Sequence, residues 1–557
     1  TKRGSEGKAV VTYNNSFSFT SPTVDPDLVL DTRQYLETYV DAAEYSNRNN
    51  PFTPELIDEL AALGSTNWYD EYVNTGFVQD HNVSITGGSG NIKYRFSNRY
   101  FDQEGYVEGD WFTERLSSRL NLDMRLSDKL NAGISIAYTN TDNRQAPKND
   151  PQTFVVDGVE DNRYTGGKGN FLYTILLVSP PNGTVYDEFG RYGGTGGESS
   201  RSQRDNPQGL IDNQWIDNDA NELLGNAFIE YEPIKNFKLR YTTGVNLNQQ
   251  SYEETRLEYE QYDRFGNRTA VRTPGSILRT REATTLNFTN WLQASYTKSF
   301  DYHEIGLMVG VNQETSDDRR IATAETGFGS TSLVQPGNGT AISDIQNYDG
   351  EWALQSVFGR VNYNYKGTYL FELNMRRDGS SRFGQNNRWA SFPGVSAGYV
   401  ISNENFWNSN FMSFLKLRAS WGIIGVQSEQ LYPFASEVTL GNDYNGNSGA
   451  ALTKFGNPDL EWEETTTIDF GIDLELFDGK IYLEADYFRK ESDGILTQIN
   501  NPLTSGVNSA TTINSANILN KGWELNLTTN NKIGDLRISA NFNLSHLDNE
   551  VTKINSD

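Results

Sequence analysis

The chain has 557 residues, of which 73 are acidic and 47 basic, giving a formal charge of −26, and it has no cysteine. That charge excludes nucleic acid, whose recognition needs a basic footprint, and the missing thiols exclude disulfide staples and cysteine chemistry. Mean hydropathy is −0.63 and no run approaches the ~20 apolar residues of a spanning helix, which leaves open a barrel whose strands are apolar on one face only.

In chain order, Val10–Phe19 predicts a first strand, with Val11, Tyr13, Phe17 and Phe19 on one face. The Asp-rich segment 20–79 predicts short helices near Asp31–Ala43 and Pro54–Leu63, the second opened by Thr53 as cap and Pro54 at the first helical position. Strands resume at His81–Thr86 and, after Gly87-Gly88-Ser89-Gly90, at Ile92–Phe101. Leu116, Leu120, Leu122, Met124 and Leu126 then alternate with Arg115, Arg119, Asn121, Asp123 and Arg125, and the turn Ser127-Asp128-Lys129 leads into Ala132, Ile134, Ile136 and Tyr138. Beyond a long loop, 140–221, hairpins are expected near Pro233–Asn236, Asp301-Tyr302-His303, Lys366-Gly367, Asn403–Asn410, Asp478-Gly479 and Asn531–Asp535. Between them lie polar loops at 250–283, 315–351, 377–389, 425–461 and 494–517.

Short turns alternate with long loops, as a transmembrane β-barrel requires, with the short turns periplasmic and the long loops extracellular. The fold class is therefore all-β, an antiparallel transmembrane β-barrel with roughly 17 strands present. The odd count, and polar ends with neither leader nor initiating Met, lead us to expect an internal fragment lacking strands at its C-terminus. Aromatic residues make up 12% of the chain, enough for two interface girdles. The polar face carries Arg115, Arg125, Arg240, Glu372, Arg376, Asp473, Glu475, Glu484, Asp486 and Glu524. So many charges need the wide, hydrated or plugged lumen of a barrel of more than about 20 strands.

No nucleophile elbow, phosphate loop or zinc spacing is present, and an enzyme is not expected. The three histidines, His81, His303 and His546, lie far apart, and no metal site is expected of them. No cofactor is expected; loop pieces Asp25-Pro26-Asp27…Asp31 and Asp212-Asn213…Asp217-Asn218-Asp219 are the only candidates for a loop Ca²⁺. Loop aromatics Trp68, Tyr69, Trp111, Tyr173, Tyr186, Trp215, Tyr262 and Trp407 are candidates for stacking on a ligand, or for packing the loops.

Several motifs go beyond pattern. Tyr100-Phe101-Asp102-Gln103-Glu104-Gly105, Asp378-Gly379-Ser380-Ser381-Arg382-Phe383-Gly384, Asn387-Arg388-Trp389, Leu417-Arg418-Ala419-Ser420-Trp421-Gly422, Asn457-Pro458-Asp459-Leu460-Glu461-Trp462-Glu463 and Asn520-Lys521-Gly522-Trp523-Glu524 occur in this order along the chain. Together they resemble the SusC-like (SusC/RagA-type) TonB-dependent outer-membrane transporters. Thr1-Lys2-Arg3-Gly4 resembles the end of that family's plug domain. The resemblance implies a plug end at 1–8 and a barrel at 9–557, incomplete at its C-terminus and lacking about five of about 22 strands. It also implies an importer of oligosaccharides in the outer membrane of a Gram-negative, Bacteroidota-type bacterium. A SusD-like surface lipoprotein would be its partner, and TonB–ExbB–ExbD would energise it through an N-terminal region absent here. Import of peptides within the same family, a siderophore or other nutrient receptor, and a structural or adhesion barrel are the alternatives.

Overall fold

The computed structural model describes residues 3–23, 31–48, 50, 52–146, 171–194, 205–263, 266–442, 445–507 and 509–554. After β1 (Gly7–Thr20) come α1 (Thr32–Tyr45), α2 (Pro54–Ala62) and α3 (Trp68–Tyr72). The strands β2 (Gly76–Gly88), β3 (Ile92–Glu104), β4 (Phe112–Ser127) and β5 (Leu130–Gln145) follow, then α4 (Phe171–Val178) and α5 (Pro207–Asn213). Next are β6 (Gln214–Ile234), β7 (Phe237–Arg256), the small β8 (Tyr259–Tyr262) and β9 (Arg268–Arg272), β10 (Ile277–Phe300) and β11 (His303–Thr326). The chain continues through β12 (Ala341–Tyr365), β13 (Tyr369–Ser380), β14 (Trp389–Val400), β15 (Met412–Val426), the small β16 (Glu437–Leu440) and β17 (Ala450–Lys454). It ends with β18 (Glu463–Leu476), β19 (Ile481–Ile499), β20 (Thr511–Ile533) and β21 (Leu536–Ile554).

Seventeen strands form one antiparallel sheet in which each barrel strand pairs with the next in the chain. β8–β9 and β16–β17 are separate two-stranded ribbons in the long loops. The strand number expected from the sequence is the number observed. Among the described residues β1 pairs with β2 and β21 with β20, and no pairing joins β1 to β21.

Register follows the alternation of side chains. On β11, Ile305, Leu307, Val309 and Val311 lie opposite Tyr363, Val361, Gly359 and Val357 of β12, and this face is the lipid side. The band ends where Gln313, Thr315, Asp317 and Arg319 take over. Crossing hydrocarbon takes ~9–11 residues of tilted strand, yet β11 has 24. The surplus stands in water, where both faces can be polar while the ladder hydrogen bonds continue. For this reason the expected loops 140–221, 250–283 and 315–351 shrink to 146–213, 257–276 and 327–340.

At the short-turn end the outward face carries a chain of stacked rings. Phe300 lies 4.9 Å from His303, His303 4.8 Å from Tyr365, and Tyr369 5.1 Å from Tyr399. They form the interfacial girdle of amphipathic rings. Tight turns here use the left-handed residues Asn236 (φ 72°) and Asp301 (φ 48°), which match the twist of the flanking strands. The three histidines all face outward beside aromatics, His81 against Tyr13 and His546 against Trp523.

Both expected helices form. The Asp31 carboxylate accepts from Gln34 N at 2.9 Å, and Thr53 Oγ1 accepts from Leu56 N at 3.3 Å. Leu36, Phe52, Ile57 and Leu60 close a small core between them. Helices α3, α4 and α5 lie in segments expected to be loop.

Candidate functional site: lumen wall and loop crown

The inner face of the sheet carries the ten charged residues expected there, several of them in ion pairs. On β15, β18 and β19, Arg418 Nη2 reaches Asp473 at 2.9 Å while Nη1 reaches Asp486 at 2.9 Å. Lys416 adds a second cation 3.6 Å from Asp473, whose carboxylate is only 8% exposed. Gly471 makes this possible. A Cβ there would come 2.4 Å from Asp486 Oδ1 and 2.6 Å from Arg418 Cζ, so only glycine lets the guanidinium lie across the strand. A recess of about 610 Å³ opens beside this network, lined in part by Glu304, Asn362, Glu372, Arg418 and Asp469.

On the wall around β3, β4 and β7 cations outnumber the carboxylates Asp123 and Glu230. Lys93, Arg95, Arg115 and Arg119 face inward on it, joined by Arg240, which lies 4.0 Å over the Phe228 ring. Phe228 in turn occupies the space above Gly133, where a Cβ would sit 2.3 Å from the ring. Arg3 pairs with Asp123 on this wall, so the first described residues run inside the lumen.

Above the lipid band the long loops build a packed crown. Trp68, Tyr72, Val107, Trp111, Ile175, Leu176 and Leu210 form one apolar core drawn from four separate segments. Asn206 is fully buried. Its Nδ2 donates to Gly193 O at 2.8 Å and Val185 O at 2.9 Å, while Oδ1 accepts from Gly209 N at 3.0 Å and caps α5. Burial pushes the Tyr192 phenol up to about 12. At Asp187, burial alone would raise the carboxyl. The backbone N–H groups of Arg191 and Phe189 and the Arg191 guanidinium outweigh it and hold the group below the usual carboxylate range.

The motif residues meet in one joint on the inner wall. Phe383, Phe392, Leu460 and Trp462 pack together, with the Phe383 and Trp462 rings 4.9 Å apart. Asn387 Nδ2 donates to Asp459 O at 3.0 Å and Trp462 Nε1 to Arg388 O at 3.2 Å. Asp378 accepts from Arg376 at 2.7 Å, and Ser380 Oγ donates to Gln427 Oε1 at 2.7 Å. Gly384 lies so close to Pro458 O that a Cβ would approach it to 2.7 Å. Gly379, Ser381, Arg382 and Asn457 complete the joint, which ties the 381–388 loop to the 427–462 loop. Two motifs some 75 residues apart in the chain thus describe one contact.

The loop aromatics separate into two groups. Trp68, Tyr69 and Trp111 are buried in the crown, with Trp68 Nε1 donating to Pro180 O and Trp111 Nε1 to Glu108 O. Their rings pack within the crown. Trp215 is half-buried beneath Arg144, and Tyr262 lies 3.6 Å from the Arg191 guanidinium. Tyr186 is exposed on the crown. The Tyr173 side chain falls outside the described residues. Trp407, expected in a long loop, lies in the short-turn segment 401–411 and donates to Met412 O. Of the Ca²⁺ candidates, Asp25 and Asp27 fall outside the described residues, Asp31 caps α1, and Asp217 pairs with Arg144 at 2.7 Å. Among the described residues no group of three carboxylates or histidines converges as a metal site.

Residues 157–557 match the family described as TonB dependent receptor-like, beta-barrel. TonB-dependent receptor P3 of Formosa agariphila is 29% identical over 100% of this chain and 52% of its own length. TonB-dependent receptor SusC of Bacteroides thetaiotaomicron is 27% identical over 100% of this chain and 54% of its own. The chain therefore spans about half the length of the curated relatives it matches. The structure of the RagAB peptide transporter superposes with a TM-score of 0.81 at 22% identity, covering 100% of this chain and 62% of that one; this likeness shows the fold.

Proposed function

The chain belongs to the TonB-dependent receptor-like β-barrel family, and on that premise we propose that it forms most of the wall of a SusC-like outer-membrane importer of oligosaccharides. The observation that carries this is the inner face. A 17-stranded sheet still lacking closure encloses a lumen lined by charges of both signs, which suits a hydrated passage holding a movable plug. A SusD-like surface lipoprotein would cap the loop crown. TonB, acting on an N-terminal region, would supply the energy. In the crown and motif joint the conspicuous aromatics are consumed by packing, which favours a scaffold and passage over an adhesive surface.

Two measurements test the proposal. The full-length protein, tagged in its native host, should co-purify with a surface lipoprotein and should import a fluorescent oligosaccharide only while TonB is functional. Purification without any lipoprotein, together with TonB-independent or absent uptake of every oligosaccharide tried, would remove it.

A further inference from the structure

At the short-turn end of β10–β13 two hairpin tips are tied to each other. The Lys366 amide donates to Tyr302 O at 2.8 Å, joining the turn after β12 to the turn after β10. Lys366 (φ 57°) and Gly367 (φ 66°) are both left-handed, and Gly367 N donates to Asn364 Oδ1 at 2.8 Å. This tight turn fixes where the Lys366 side chain starts. Its Nζ lies 4.6 Å from the Tyr302 ring and 5.4 Å from the Tyr365 ring. A second lysine stands close by. Register puts Lys298 on the outward face of β10, opposite Ile305, the first residue of the lipid band on β11. Ile305 lies opposite Tyr363 of β12. Lys366 is therefore two strand spacings across the sheet from Lys298, ~10 Å, and three residues further along, ~10 Å. The stacked rings of Phe300, His303 and Tyr365 fill the space between them.

Both lysines are exposed, and Tyr302 is 64% exposed. Among the described residues neither Nζ makes an ion pair or a hydrogen bond, and the Tyr302 hydroxyl has no hydrogen-bond partner. The carboxylates nearby do not neutralise them. Glu304 lies on the lumenal face, opposite Asn364. Glu404 accepts from the hydroxyls of Tyr369 at 2.6 Å and Tyr399 at 3.2 Å. Asp301, in the turn itself, pairs with neither lysine. Outward residues at the edge of the lipid band meet the headgroup layer, where amphipathic rings settle. What covers this corner is thus lipid, and its open groups are two ammoniums and a hydroxyl, all donors.

We infer that this corner is a binding site for the phosphate of an anionic phospholipid in the leaflet at the short-turn end. Lys366, set by its turn, and the Tyr302 hydroxyl reach the phosphate oxygens from the turn side. Lys298 starts at the edge of the apolar band, and its stem runs along that band while the ammonium reaches the same headgroup. A zwitterionic lipid brings its own cation beside the phosphate and competes with the lysines. An anionic one does not, and each basic side chain near an anionic surface is worth roughly fivefold in affinity. The site depends on the membrane barrel alone and is independent of what the barrel transports.

The test uses the full-length protein in nanodiscs of phosphatidylcholine, with and without phosphatidylglycerol. A phosphatidylglycerol analogue carrying a photoreactive headgroup is titrated, cross-linked and mapped to peptides. Cross-links are expected within 296–303 and 363–369, displaced by phosphatidylglycerol and not by phosphatidylcholine or inorganic phosphate. Lys298→Gln and Lys366→Gln should each weaken labelling there roughly fivefold, and together roughly 25-fold. Lys366→Arg should keep it. Lys532→Gln, on the lumenal face at the same end, should leave it unchanged. The substituted lysines are exposed, so resistance to SDS should persist in every variant and show that the barrel is intact. Labelling confined to other segments, equal displacement by phosphatidylcholine, or a double substitution that labels like the parent protein overturns the inference. Displacement by inorganic phosphate as readily as by the lipid would overturn the lipid as its ligand.

Discussion

The motif joint supports a quantitative prediction through Phe383→Ala. Phe383 has no exposed surface and is held between Phe392, Leu460 and Trp462. Phe-to-Ala changes in cores cost about 3–5 kcal/mol, depending on how far the site can collapse. Collapse is restricted here. Phe392 is fixed by strand β14, and Trp462 by its hydrogen bond to Arg388 O and by the start of β18. Leu460 lies on loop backbone that is itself held, Asn387 donating to the Asp459 carbonyl and Asn514 accepting from Glu461 N. We therefore expect the upper half of the range, about 4 kcal/mol, confined to the joint, since the transmembrane ladder does not depend on it. The readout is local: protease cleavage and amide exchange within 427–462, measured on the purified full-length protein, with resistance to SDS at room temperature reporting the barrel. Phe383→Ala should release the 427–462 loop and leave SDS resistance intact, whereas Phe383→Leu should cost less than about 1.5 kcal/mol and protect the loop nearly as well. Equal loop protection in Phe383→Ala and the parent protein, or loss of the barrel in Phe383→Leu, would refute the view that the two motifs are halves of one contact.

Other residues give sharper tests of the faces and the charges. Leu373→Arg places a cation on the lipid side of β13 and should destabilise the barrel by about 2–4 kcal/mol, while Asn374→Arg, one residue on and beside Glu372, should be tolerated in unfolding titrations; the reverse order would mean that the faces are exchanged. Arg418→Gln leaves Asp473 with Lys416 as its remaining cation and should cost about 2–3 kcal/mol, short of the ~3–5 of a fully buried pair because Lys416 stays and the guanidinium edge meets lumen water; adding Asp473→Asn should recover part of it in a double-mutant cycle, and strict additivity would deny the coupling. Asp187 has its folded pKa depressed, so its stabilisation of the 187–191 turn is present above the ordinary aspartate value of about 3.9 and is lost as pH falls through the lower folded value. Amide exchange at Phe189 and Arg191 should therefore quicken in acid in the parent protein and be fast and pH-insensitive, apart from intrinsic chemistry, in Asp187→Ala.

What was legible in the sequence is what the solvent enforces. Along Ile468–Leu476 one face meets lipid and the other meets water, so alternation is obligatory and both strand and facing can be read off. Along Thr315–Glu325 water lies on both sides. The ladder persists, but no pattern is demanded of the side chains, and the strand looks like loop. The helices near 32 and 54 were legible because Asp31 and Thr53 are capping residues with a local signature. Helix α4 has no such start among its described contacts. Residue type cannot separate a tryptophan that packs from one that meets ligand. Trp68 and Trp111 acquire their role from Pro180 and Glu108 carbonyls and from apolar partners contributed by other loops, information that exists only after folding.

Register, once known, recovers some of what residue type conceals. Because side chains alternate strictly, fixing one pair such as Trp291↔Thr242 assigns a face to every residue of β7 and β10 until a bulge intervenes. The Tyr252–Arg281 contact follows from that count, for both lie on the face of Trp291, and neither was conspicuous as sequence. The same count separates the two walls of the lumen, with Arg95, Arg115 and Arg119 on one side and Asp473, Glu484 and Asp486 on the other. A passage with one basic and one acidic wall imposes a lateral field on whatever occupies it. A plug or a substrate carrying both signs would be oriented about the barrel axis, and charge reversal at Arg95 or Arg119 would change that orientation without touching the lipid face or the crown.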